Sequence, residues 1–146
     1  MIFGTDRDQL RQMYREAWTR RTQGLPLEPL ADQIAEVIEL HPEYHALLVD
    51  DAALARDWTP EQGQTNPFLH LGMHLAVREQ VGTDRPAGIR AAFQRLASRL
   101  GDAHAAEHEV FECLGRSLWD AQRAGIAPDE RAYLDCIRQR AQGVRS

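Results

Sequence analysis

Asn66-Pro-Phe-Leu-His70-Leu-Gly-Met-His74-Leu-Ala-Val-Arg-Glu-Gln80 is the stretch whose reading decides the fold. Asn66 can accept hydrogen bonds from first-turn amides, and Pro67 suits the opening position of a helix. Phe68, Leu69, Leu71, Met73, Leu75, Ala76 and Val77 then leave little polar surface before Arg78. The spacing predicts a helix that is apolar nearly all round, fit for the interior of a bundle. On it His70 and His74 stand one turn apart, one above the other.

That histidine spacing recurs. The chain has six histidines, and all fall in His-x-x-x-His pairs: His41 with His45, His70 with His74, and His104 with His108. Six residues scattered at random over this length would pair in this way on the order of once in 10⁴ to 10⁵ trials. Chance is therefore a poor account of the pattern, and a metal site is the natural one.

Working outward, the flanking segments also read as helices. Thr5-Asp6-Arg7-Asp8 fits a capping box, followed by Leu10, Met13, Tyr14, Ala17 and Trp18 at helical spacing, with Gly24 as a stop. Leu30, Ile34, Val37, Ile38, His41, His45 and Leu48 form one stripe, interrupted by Pro42. That proline must kink the helix or restart it. A kink keeps both imidazoles inward, whereas a restart leaves His41 near a cap and favours His45.

Residues 50–65 form the longest irregular stretch, read as a loop with one helical turn near 52–56. Such a loop is either a functional lid or a solvated connector pinned by Trp58. Pro86 opens a fourth helix carrying Ile89, Ala92, Phe93, Leu96 and Leu100, and Gly101 ends it. Asp102 caps a fifth, with His104, His108, Phe111, Gly115 and Leu118 on one face and Leu114 and Trp119 at its border. A last helix spans about 129–139, with Tyr133 and Ile137 inward. No run has the period-two pattern of a strand. The expected fold is all-α: a bundle of four core helices plus one or two more, forming a single domain over residues 1–146.

Composition narrows the function. The chain has 146 residues and a net charge of −5, without the basic excess of a nucleic-acid binder. All 17 basic residues are arginine. The densest group, Arg11, Arg15, Arg20 and Arg21, is interrupted by acids and reads as a solvated helix face. Cys113 and Cys136 are too few for a disulfide scaffold and make no Cys-x-x-Cys, so reduced thiols and a cytoplasmic location are the default. The N-terminus has no signal-like apolar run, and no segment approaches the ~20 apolar residues of a membrane span.

Neutral imidazole is the commonest metal ligand, and bundle cores are places where facing helices can build such sites. A lone histidine on an apolar face is more often a hydrogen-bonded core residue. Three pairs on apolar stripes make burial without a partner expensive, at about 1–3 kcal/mol for each unsatisfied group. Glu112 follows His108 by four residues and Glu107 follows His104 by three, so both can border the site; Glu109 reads as solvated. The candidate metal ligands are His41, His45, His70, His74, His104, His108 and Glu112. A nitrogen-rich set favours iron or zinc over magnesium or calcium, in a mono- or dinuclear site. Tyr44, Cys113 and Asp50 carry no distinctive motif. Phosphate-loop, dinucleotide-fold, nucleophile-elbow and His-Glu-x-x-His signatures are missing.

His41-Pro-Glu-Tyr-His45 and Gln64-Thr-Asn-Pro-Phe-Leu-His-Leu-Gly-Met-His-Leu-Ala-Val-Arg-Glu-Gln80 resemble a bacterial family known as a domain of unknown function. Asp84-Arg-Pro-Ala-Gly-Ile89, His104-Ala-Ala-Glu-His108 and Cys113-Leu-Gly continue the likeness over nearly the whole chain. It implies no particular activity. Hemerythrin-like and DinB-like helical metal proteins are looser likenesses. The chain offers His104-x-x-x-His108-x-x-x-Glu112 but no His-x-x-x-Glu in its central helix, and it lacks the Glu-x-x-His of ferritin-like proteins.

Three functions follow as expectations. One is a metalloenzyme activating water or dioxygen, acting on a small molecule. Another is a non-catalytic metal or oxygen sensor or carrier. The last is a helical interaction protein with a buried histidine network.

Overall fold

Helix ends fall where the local chemistry puts them. Asn66 Oδ1 accepts from the amides of Phe68 at 3.0 Å and Leu69 at 3.2 Å. Asp102 and Asp129 cap in the same way, accepting from His104 and from Arg131 and Ala132. The computed structural model describes residues 6–58 and 66–143. Among these, eight α-helices and no strand are present: α1 Asp6–Thr22, α2 Pro29–Glu39, α3 His45–Leu48, α4 Asp51–Ala55, α5 Pro67–Thr83, α6 Ile89–Leu100, α7 Ala103–Ala124 and α8 Glu130–Ala141. The fold class is that of an all-α helical bundle, as expected. The capping box at Thr5 and the end of the loop at 59–65 lie outside the described residues.

The chain divides into two compact units, Met1–Leu75 and Ala76–Ser146. In the first, α1 packs on α2, α3 and α4. Its core joins Tyr14, Ala17, Ile34, Val37, Ile38, Leu48, Leu54, Phe68 and Leu71, with Trp18, Tyr44 and Trp58 against it. Trp58 packs against this core, and the single turn expected near residue 52 is α4.

The buried face of α1 keeps Tyr14, Ala17 and Trp18 of the expected stripe but takes in Arg11 as well. Leu10 and Met13 are exposed, whereas Arg11 is only 4% exposed. Its guanidinium donates to the carbonyls of Leu54 at 2.9 Å and Arg56 at 2.8 Å and lies over the Phe68 ring. Arg15 Nε donates to Leu48 O at 2.7 Å. The expected solvated arginine face is corrected: two of its members satisfy carbonyls at the ends of short helices, where backbone acceptors lack helical partners.

Pro42 restarts the chain rather than kinking it. Helix α2 ends at Glu39, a 3₁₀ turn covers Pro42–Tyr44, and α3 begins at His45.

In the second unit, α6, α7 and α8 pack on one another. Ile89, Ala92 and Leu96 of α6 meet Val110 and Cys113 of α7 and Tyr133 and Ile137 of α8 in the core. Helix α6 begins at Ile89, three residues past Pro86, after a turn in which Asp84 accepts from the amides of Gly88 and Arg90. Gly88 has φ +99°, a left-handed conformation that L side chains rarely adopt, which is why glycine stands at the start of α6. Along α7 the core face keeps Phe111 but continues through Cys113 and Ala121, leaving Leu118 and Trp119 exposed.

Cys113 and Cys136 form a disulfide between α7 and α8, which corrects the expectation of two reduced thiols. Packing α7 on α8 brings their Cα atoms to 5.8 Å, within bridging reach.

Candidate metal centre

His41 follows directly from the restart at Pro42. The end of α2 leaves the Val37 carbonyl near the ring, and His41 Nδ1 sits 2.7 Å from that oxygen. A carbonyl only accepts, so the neutral ring carries its proton on Nδ1 and its lone pair on Nε2. This is how metal-binding histidines are commonly oriented, with the far nitrogen donating to a backbone oxygen.

Around that ring the first unit gathers two more imidazoles. The His41 ring centroid lies 4.6 Å from His74 and 5.0 Å from His70, and those two are 4.9 Å apart. All three contacts are edge-on. His41 is 2% exposed and His74 0%, while His70 is half-buried. Ligand nitrogens of His41 and His74 lie within 4.8 Å of each other. An ion bonded to both at about 2.1 Å spans up to about 4.2 Å, so a shift of less than about 1 Å joins them. The first unit therefore contains a buried histidine cluster that could hold a metal ion.

Tyr44 flanks the cluster, its ring stacked 5.4 Å from His41 and edge-on at 6.1 Å from His70. Burial, and then the Glu43 carboxylate, raise its phenol above the ordinary value and keep it neutral.

His45 has other engagements. Its Nε2 meets Ile38 O at 2.9 Å and its ring lies 4.2 Å from Trp18. Among the histidines of the restart, the one near the cap joins the cluster and the one expected to be favoured does not. The carbonyls of Val37 and Ile38 at the end of α2, each also accepting a backbone amide, meet one ring apiece.

The second unit holds His104 and His108, ring centroids 4.5 Å apart and ligand atoms within 4.8 Å. Phe111 lies edge-on to His108 at 5.4 Å. The neighbouring acids answer arginines. Glu107, 5% exposed, accepts from Arg78 Nε at 3.0 Å. Arg140 pairs with Glu112 and, at 3.3 Å, with Glu109. Burial pulls the Arg140 guanidinium down, but the pairs with Glu112 and Glu109 outweigh it and raise it. Glu109 is thus part of an ion-pair network, not the solvated residue its spacing suggested. Nothing local in the sequence announces these arginines, which lie 28 to 31 residues from their acids.

Residues 6–139 match the family described as a domain of unknown function (DUF1841), and the chain belongs to it. Comparisons with curated proteins and with solved structures give no match. Among the described residues, no helix is long and apolar enough to cross a membrane.

Proposed function

We propose that the protein binds a transition-metal ion, iron or zinc, through its paired histidines, with His41 and His74 as the central ligands. The observation that carries this reading is the ring-to-ring packing of His41, His70 and His74, with His41 oriented through Val37. Rings gathered this closely bring several imidazole nitrogens within reach of one ion, and neutral imidazole is a good ligand for such metals. His104 and His108, at the same i,i+4 spacing and a similar ring separation, are a separate candidate pair within the second unit. His45 and Glu112, engaged by Ile38 and Arg140, stand outside this set.

Nitrogen ligands without a carboxylate suit iron, zinc and copper better than magnesium or calcium. Two or three imidazoles leave at least one coordination position for an exchangeable ligand, where water or dioxygen would be activated in an enzyme or held in a carrier. Cobalt(II) titration of the metal-free protein tests the ligand set. A saturable visible band that His41→Ala/His74→Ala removes is expected; no saturable band in the wild type would refute it. Reversible absorption changes of the iron form between argon and air would favour a carrier over a hydrolase.

A further inference from the structure

We propose that the Cys113–Cys136 bridge is a thiol–disulfide exchange site, opened by a small external thiol that enters the cleft between α7 and α8 and attacks Cys136. Both cysteines line that cleft, together with Arg116, Asp120, Asp135 and Gln139. Its volume is about 330 Å³, room for a low-molecular-weight thiol.

The bridge is asymmetric. Both line the cleft, but Cys113 is 1% exposed and Cys136 8%. Exchange requires a thiolate to reach one sulfur in line with the bond, so access selects the sulfur attacked. Cys136, the more exposed of the two, is the sulfur attacked, and Cys113 is the leaving group.

The chemistry balances without a metal. An external thiolate forms a bond to Cys136 Sγ as the Sγ–Sγ bond breaks, and Cys113 leaves as a thiolate that takes a proton from solvent. A second thiolate attacks the external sulfur of this mixed disulfide, releasing Cys136 and forming the external disulfide. Two thiols are oxidised and the protein bridge is reduced by two electrons; excess external disulfide drives the reverse. Opening it removes the covalent tie between α7 and α8.

The full-length oxidised protein, incubated with glutathione in native buffer, acid-quenched and alkylated, tests this by intact and peptide mass. The expected result is a glutathione adduct on Cys136, full reduction at higher glutathione, and re-formation of the bridge with glutathione disulfide while far-ultraviolet circular dichroism stays helical. In Cys113→Ser the remaining thiol should react with glutathione disulfide about tenfold or more faster than in Cys136→Ser, following thiol access. If either variant fails to fold, the adduct position in the wild type decides alone. A bridge reduced only at denaturant concentrations that unfold the chain overturns the proposal. So does an adduct on Cys113, or a pair of cysteines that glutathione disulfide cannot join.

Discussion

Opening the disulfide should cost the chain a calculable amount of stability. Cys113 and Cys136 are 23 residues apart, and the bridge closes that loop in the unfolded chain. Chain-entropy scaling for a loop of this size gives about 3.4 kcal/mol of stabilisation at 25 °C. For a protein of this length the same energy moves the thermal midpoint by roughly 10 °C. Both cysteines lie within Ala76–Ser146, on α7 and α8. Urea denaturation followed by circular dichroism, on oxidised and reduced chains whose bond state is verified by mass, measures it directly. The reduced chain should also show a larger dependence on denaturant, because its unfolded state is less constrained. Equal midpoints for the two forms would refute the reasoning.

Two other perturbations test the second unit. Burial raises the Tyr133 phenol, so the folded chain keeps its proton where the unfolded chain, titrating near 10, has lost it. Stability from this group is fully present below pH 10 and falls as pH rises above it. Tyr133→Phe should flatten that alkaline slope while costing about 1 kcal/mol at neutral pH for the lost bond to Gln80; an unchanged slope would contradict the assignment. Arg78→Met strips a charge partner from buried Glu107 and should cost about 3 kcal/mol in urea denaturation. Adding Glu107→Leu should recover most of that loss, and a double variant as unstable as the single would argue against the pair.

The helices and much of the candidate site were legible in the sequence because they depend on local chemistry. Asn66 and Asp102 announced their caps, and the stripe Ile34, Val37 and Ile38 pointed inward as it does. The spacing of His70 and His74 and of His104 and His108 foretold ring pairs that the structure shows at 4.9 and 4.5 Å. What escaped depends on partners distant in the chain. Arg11 looked like a solvent residue because its acceptors, the carbonyls of Leu54 and Arg56, are more than forty positions away. Glu112 looked like a ligand by its spacing from His108, but Arg140 engages it. Pairing Cys113 with Cys136 required the packing of α7 on α8, which no local signal encodes. At Pro42 the two alternatives were visible, but the consequence for His41 and His45 turned on which carbonyl at the end of α2 each ring meets.

The most direct test of the central claim is metal content. Untagged protein, as purified and after reconstitution with iron or zinc, should carry stoichiometric metal by mass spectrometry, and His41→Ala/His74→Ala should lose it while remaining helical. Substoichiometric metal in both native and reconstituted wild-type samples, or metal retained in full by the folded double variant, would contradict the account.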